Sequence, residues 1–190
     1  MIKNIFLYSK KKEISFFQSF LKHSLVPIKL ISNSIPKNSK VLDIGCGEGI
    51  LSNLISNYRS DIELVGIDIN ETKIQIANSL KNQNSIFYLQ DIFNLEFQTK
   101  FDVIIINDTL HHFHFTNHMR FFYRLRDLLN NKGKIILKEV NSEDKFDFWL
   151  TNFFDKKIYP EDQLSFRNKK SWINLIERSG FTCIKSTKLS

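Results

Sequence analysis

The sequence predicts an α/β fold: a doubly wound, mostly parallel sheet with helices on both faces. Three observations predict it. Short, nearly continuous apolar runs recur at 41–44, 63–67, 86–89, 101–106 and 134–137, the pattern of strands buried on both sides of a parallel sheet. Helical periodicities over 50–58, 71–80 and 118–129 fall between those runs, so strands and helices alternate and the crossovers are right-handed. The first strand breaks into three glycines at alternate positions, Gly45, Gly47 and Gly49, and a helix follows at once.

Residues 1–35 form an N-terminal helical cap. Ile14, Phe17, Phe20, Leu21 and Leu25 lie at helical spacing over 13–25, and Pro27 opens a second short helical stretch to Ile35. The cap either closes over a ligand or covers the sheet edge. Pro36-Lys37-Asn38-Ser39 ends it and delivers the chain to the first strand. Residues 36–190 carry the α/β region, and the 190 residues make one structural domain overall.

The glycine turn is the most informative stretch. Glycines there allow backbone angles that other residues resist, and the helix behind them presents unpaired N–H groups. A dinucleotide loop reads G-x-G-x-x-G/A, so that a pyrophosphate rests on the helix N-terminus. Here the third glycine comes one residue early and Ile50 stands where Gly or Ala is expected. Two carboxylates, Asp43 and Glu48, flank the turn; they repel a pyrophosphate and suit an ammonium or a sulfonium. Asp68 follows the second strand, placed either to accept both hydroxyls of a ribose or to support the turn before the Asn70-Glu71 helix start. Asp91 follows the third strand and Asn107-Asp108 the fourth, so each of the first four strands leaves a polar residue on one rim.

Asp43-x-Gly45-x-Gly47-x-Gly49 after Val41-Leu42 resembles the first motif of the class I S-adenosylmethionine-dependent methyltransferases, and the resemblance covers residues 36–188. It implies a Rossmann-like fold with S-adenosyl-L-methionine as cofactor. Asp43 and the Gly45-Cys46-Gly47-Glu48 turn would hold the methionine end. Asp68 would take the ribose, with Ile69 on the adenine face; Asp91 would meet the adenine amino group, with Ile92 lining the ring. Asn107 stands where the family uses the backbone to hold the methionine ammonium.

Four of the five histidines, His111, His112, His114 and His118, fall within eight residues after the fourth strand. His114 and His118 have the i, i+4 spacing of a metal pair, but no cysteine or carboxylate completes a recognisable set, so no metal site is expected. A histidine beyond the fourth strand can face a substrate and take a proton near neutral pH. His111 and His112 are therefore the candidate catalytic residues, with structural hydrogen bonding as the competing role. Nucleic-acid amino methyltransferases often carry Asn/Asp-Pro-Pro-aromatic here, and Asn107-Asp108-Thr109-Leu110 departs from it.

Asn131-Lys132-Gly133 reads as a tight turn into the fifth strand. Residues 141–166 are rich in aromatics, with a helix expected over 144–154 and a loop at Tyr159-Pro160. This stretch is either a lid and acceptor-pocket insertion or a cover for the sheet edge. A helix over 170–179 should turn Trp172, Ile173 and Ile176 inward and stop at Gly180. Residues 181–188 read as a sixth strand. The seventh strand usual in this fold is missing, which would leave the sixth as an exposed edge where a second copy could pair.

Lys and Arg number 27 against 20 Asp and Glu, a formal charge of +7. That favours an anionic partner such as RNA, but the lysines are scattered, with Lys10-Lys11-Lys12 the one run. Two cysteines make no disulfide framework, no stretch has the length of a membrane span, and no cleavable leader is evident, so the cytoplasm is expected. The sequence therefore points to methyl transfer onto a small or apolar organic acceptor. An RNA methyltransferase and a catalytically silent cofactor-binding subunit are the alternatives; the carboxylates around the turn disfavour a nicotinamide oxidoreductase.

Overall fold

The computed structural model of the chain describes residues 28–95 and 97–188. Its strands are β1 (Lys40–Ile44), β2 (Glu63–Asp68), β3 (Ser85–Leu89), β4 (Phe101–Asn107) and β5 (Leu129–Lys138). Its helices are α1 (Ile28–Ser34), α2 (Ile50–Tyr58), α3 (Glu71–Leu80), α4 (Asn117–Leu128), α5 (Lys145–Ile158) and α6 (Lys169–Arg178), with a 3₁₀ turn at Leu110–His112. The strands form one sheet in the order β3-β2-β1-β4-β5, every neighbouring pair parallel. The chain winds outward from β1 to β3 and then crosses back to β4. Ligands of such sheets bind at the carboxyl ends of the strands beside that reversal, here β1 and β4.

Strand alternation sends apolar side chains to both faces, as a parallel sheet requires. Val41, Leu64, Val103 and Ile105 meet Ile31 of α1 with Leu51 and Ile55 of α2. Ile74 and Ala77 of α3 extend that layer over Phe87. On the other face Leu42, Ile44, Ile67, Ile104 and Ile106 pack against Phe121, Phe122 and Leu125 of α4 and Trp172 and Leu175 of α6. Phe121 and Phe122 are fully buried, and truncating either to alanine would cost about 3–5 kcal/mol. Among the described residues the β3–β4 crossover has no helix; Ile92 and Leu95 tuck into this second layer instead.

Local chemistry sets the element ends. The Asn70 side chain caps α3 by accepting from the Lys73 N–H at 3.1 Å, and Asn168 caps α6 through Ser171 N–H at 2.8 Å. Gly180, at φ 87°, ends α6 as expected, and Phe181 N–H returns to the Ile176 carbonyl at 3.2 Å. Arg59 fastens α1 to the sheet: its Nη1 donates to the carbonyls of Ser32 and Ile35, both at 2.7 Å, while Asp61 grips the same guanidinium.

The expected elements need four adjustments. Residues 181–188 form no strand: Phe181 packs on the core, but Ile184 is 89% exposed and no ladder partner stands beside this segment among the described residues. The proposed pairing edge at a sixth strand therefore does not exist there, and β5 is the outer strand. Asn131-Lys132-Gly133 is an irregularity inside β5 rather than a turn ahead of it. The register runs Phe101↔Leu129 and then Val103↔Lys134, so β5 sets five residues against two of β4. The helix after 144 runs on to Ile158. In α6 Leu175 is buried, while Ile173 is only half-buried. The helix expected over 13–25 lies outside the described residues. No helix among the described residues is long and apolar enough to cross a membrane.

Candidate active site

The glycine turn sits at the carboxyl end of β1. All three glycines have positive φ: Gly45 72°, Gly47 55°, Gly49 72°. They do different work. A Cβ on Gly45 would lie 2.4 Å from the Thr109 side chain, so this glycine lets the loop after β4 close against β1. A Cβ on Gly47 would meet nothing closer than the Lys73 Cδ, at 4.0 Å, an ordinary contact with a flexible side chain. Gly47 is thus the point where the backbone lies open to a ligand. Gly45 and Cys46 N–H groups both donate to the Ile67 carbonyl, which fixes the turn to β2.

Asp43 lies beneath this turn, 2% exposed, and accepts from the Ser52 hydroxyl of α2. Burial raises its pKa to about 6; the Ser52 bond opposes the rise and the nearby Asp68 adds to it. Asp68, at the end of β2, holds the turn from above: its Oδ2 accepts from Gly47 N–H at 2.9 Å and its Oδ1 from Asn70 N–H at 2.8 Å. Cys46 turns its sulfur inward onto Ile74, Ala77 and Phe87, and burial, with Asp43 and Asp68 behind it, pushes the thiol pKa up. Glu48 is half-buried beside the turn. Ile69 is 77% exposed on the rim.

The β3 end differs. Asp91 folds back on its own turn, accepting from Phe93 N–H at 2.9 Å and from the Asn94 amide at 3.1 Å, while Ile92 is buried in the core. At the β4 end Asp108 adopts φ 48°, a strained angle that aspartate tolerates better than most residues, and pairs with Lys138 of β5. The buried Asn107 Oδ1 and Asp108 Oδ1 have no hydrogen-bond partner among the described residues. The structure therefore brings Asp43, the glycine turn, Asp68 and Asn107 to three adjacent strand ends, and leaves Asp91 on the outer strand.

The histidines separate into distinct roles. His111, on the 3₁₀ turn, is fully buried. Its Nδ1 meets Glu139 Oε2 at 2.7 Å, its Nε2 meets Asp155 Oδ2 at 2.9 Å, and its ring stacks on Phe166 at 5.0 Å. Burial works against the charged imidazole, but the two carboxylates outweigh it and push its pKa up to about 9. The expectation that His111 faces a substrate as a base needs correcting, because both of its ring nitrogens are spent on buried carboxylates. His112 is half-buried at the rim; its Nδ1 donates to Asp162 Oδ2 at 2.9 Å and its ring meets Tyr159 edge-on. His118 is structural: its Nε2 donates to the Leu110 and Phe113 carbonyls at 2.9 and 3.0 Å, and its Nδ1 accepts from Arg167. His114 is exposed, and its ring Nδ1 bonds to the Thr116 hydroxyl at 2.8 Å.

Three residues of the site, Glu139, Asp155 and Lys73, were not singled out from the sequence. Glu139, 3% exposed, accepts from the backbone N–H of Thr109 and Leu110 as well as from His111, so it shapes the whole loop after β4. Its position directly past β5 follows the same rim rule that marks Asp43 and Asp68. Asp155 sits seven residues after Phe148 on α5, and Phe148 touches the Phe166 that stacks on His111. A carboxylate on that inward face demands a buried partner, which is the signal it offered. Lys73 of α3 and Tyr159 form a bond across the glycine turn, which joins α5's end to the mouth of the site.

A family model described as a methyltransferase domain matches residues 35–179. The 235L protein of Invertebrate iridescent virus 6 is 25% identical over 170 residues, 84% of this chain and 61% of the relative. Malonyl-[acyl-carrier protein] O-methyltransferase of Bacillus anthracis is 32% identical over 93 residues, 48% of this chain and 35% of that enzyme. The chain thus spans less than two thirds of the length of either relative. Among solved structures, the 1,6-didemethyltoxoflavin-N1-methyltransferase of Burkholderia thailandensis, crystallised with 1,6-didemethyltoxoflavin and S-adenosylhomocysteine, matches with a TM-score of 0.72 at 15% identity. That match covers 100% of this chain and 80% of the other, a likeness of fold.

Proposed function

The chain belongs to the class I methyltransferase-domain family, and from that premise we propose that it transfers a methyl group from S-adenosyl-L-methionine to a small or apolar organic acceptor. The observation that carries this reading is an acid-ringed glycine turn whose middle glycine lies open. Asp43 and Asp68 stand at its base and roof, Gly47 has room for a ligand, and two buried oxygens, the amide Oδ1 of Asn107 and the carboxylate Oδ1 of Asp108, have no hydrogen-bond partner among the described residues. Such a donor set fits a ligand bearing an ammonium and a sulfonium and repels a pyrophosphate.

In this reading Asp43, Gly45, Cys46, Gly47, Glu48 and Asn107 hold the methionine end, the first by charge and the others mainly by backbone. Asp68 takes the ribose by exchanging its Gly47 and Asn70 bonds for hydroxyls. Ile69 and Ile92 flank the adenine, and Asp91 meets its amino group once released from its own turn. The cofactor supplies an activated methyl on sulfur, transferred by in-line displacement. The protein's own part is to align the acceptor and exclude water. α5 and residues 159–166 form the acceptor wall, with Tyr159 and His112 nearest the mouth, and Lys73 and Tyr159 closing it. His111 positions that wall rather than taking a proton. Both described cysteines are free, which suits a reducing compartment, and we assign the activity to the cytoplasm.

Calorimetric titration of the full chain with S-adenosylmethionine, S-adenosylhomocysteine and NAD tests the cofactor assignment. The first two should bind and NAD should not; tight NAD binding with no response to the others would overturn it. A screen with methyl-labelled cofactor then separates the remaining alternatives. Transfer to small organic acids or phenols is the expected result. Transfer only to RNA would make this an RNA enzyme, and cofactor binding with no transfer to any acceptor would make it a silent subunit.

A further inference from the structure

We propose that His111, His112 and Asp155 form a binding site for a divalent first-row transition-metal ion at the acceptor side of the cleft. One ligand atom from each of the three lies within 4.8 Å of the others, and Asp155 Oδ2 is already 2.9 Å from His111 Nε2. Metal–nitrogen and metal–carboxylate bonds of about 2.0–2.2 Å mean the set closes on an ion with side-chain movement on the order of 1 Å.

The chemistry around the three residues is that of a supported metal site. A metal-binding histidine commonly gives its second nitrogen to a carboxylate, which fixes the tautomer and aims the ligand nitrogen. Both histidines here do so: His111 Nδ1 donates to Glu139 and His112 Nδ1 to Asp162. On metal uptake the ion displaces the Nε2 proton of His111, whose Nδ1 keeps its bond to Glu139. At His111 the Nε2 faces a carboxylate oxygen at 2.9 Å, a gap that the imidazolium proton fills and that a metal ion would take over in its place. The charge count agrees. Glu139 and Asp155 place two negative charges on one fully buried imidazole. A proton there leaves one charge uncompensated, whereas a dication balances both.

Two imidazoles and one carboxylate favour Zn²⁺, Co²⁺, Fe²⁺ or Ni²⁺ over Mg²⁺ and Ca²⁺, which prefer all-oxygen sets. Three protein ligands also leave a coordination position for water or an acceptor oxygen. The sequence discouraged a metal because it offered His114 and His118 with no third ligand. The third ligand belongs to a different pair and lies 44 residues beyond His111. The inference is independent of the methyl-transfer reading, since metal uptake can be measured without cofactor.

The test is titration of the full, metal-stripped chain with Co²⁺, read by its visible d–d absorption, alongside Zn²⁺ competition and a Mg²⁺ control. The expected result is one equivalent of Co²⁺ with bands of a four- or five-coordinate site, displaced by Zn²⁺ and untouched by Mg²⁺. H112Q, at the half-buried position, and D155N should each weaken Co²⁺ binding at least tenfold, and D162N about tenfold through the outer hydrogen bond. Circular dichroism confirms that each variant is folded. Absence of Co²⁺ bands in the parent chain, or binding that H112Q and D162N leave unchanged, would overturn the proposal.

Discussion

On the β1 side of the rim, seven contiguous residues, Asp43 to Gly49, make a turn whose shape is dictated by three left-handed glycines and by close approaches of Gly45 to Thr109 and of Gly49 to Phe87 and Ala77. On the β5 side, a buried clamp gathers His111, Glu139 and Asp155 from separations of 28 and 44 residues. The turn is local and steric; the clamp is distant and electrostatic. The contrast explains which parts tolerate change. Sterics at a glycine forbid almost every side chain, while a buried ion cluster tolerates replacement only if all its charges are answered together.

The contrast is tested most severely at the clamp. His111→Ala leaves two carboxylates buried without a cation, and should lower stability by about 3–5 kcal/mol in urea unfolding. A loss below about 1 kcal/mol would mean the clamp is ornamental. The turn comes next. Gly45→Ala combines a positive φ with a 2.4 Å approach to Thr109, for a cost of about 2–3 kcal/mol. Gly47→Ala shares the φ but meets nothing closer than 4.0 Å. It should cost about 1 kcal/mol in stability while cutting cofactor affinity much further. Equal stability losses at the two glycines would erase the distinction between a packing glycine and a ligand-facing one.

Protonation sharpens the same comparison. Asp43 is held at about 6, above its ordinary 3.8. Its neutral form suits the folded interior, so the stability linked to it is full below its ordinary value and is lost as pH rises from 3.8 to about 6. A cationic ligand wants the ionised form. Affinity for S-adenosylmethionine should therefore climb by up to about tenfold per pH unit below 6 and level off above it. Asp43→Asn should flatten that profile; an unchanged slope in the variant would assign the titration elsewhere. The smallest effect belongs to Tyr159→Phe, which removes one partly exposed bond to Lys73 and should shift stability by about 1 kcal/mol or less. Its larger signature is a faster exchange of bound cofactor, measured by stopped flow.

The same division governs what was legible in the sequence. The strands declare themselves because both faces are buried and leave continuous apolar runs, and the turn declares itself because glycine spacing and flanking acids lie side by side. Asp68 follows from the rule that ligands gather at carboxyl ends of strands. The clamp is only partly readable by such means: Glu139 stands directly past β5, but Asp155 lies on no strand end. Nothing near His111 in sequence reveals that Asp155, in a helix of aromatics and lysines, will reach its Nε2, so an imidazole in the right loop looks like a free base. Residues 181–188 mislead for a related reason. Their composition suits a strand, but a strand exists only when another offers it a ladder.

Cys46 carries a last consequence. Its backbone is part of the ligand-gripping turn, yet its sulfur is packed beneath α3 and held as a neutral thiol by burial and two acids. Thiolate is the form that peroxide and alkylating agents attack. A cysteine at the heart of the cleft is therefore shielded from oxidative damage by the packing that shapes the turn, and mild iodoacetamide should modify Cys183 while leaving Cys46 untouched.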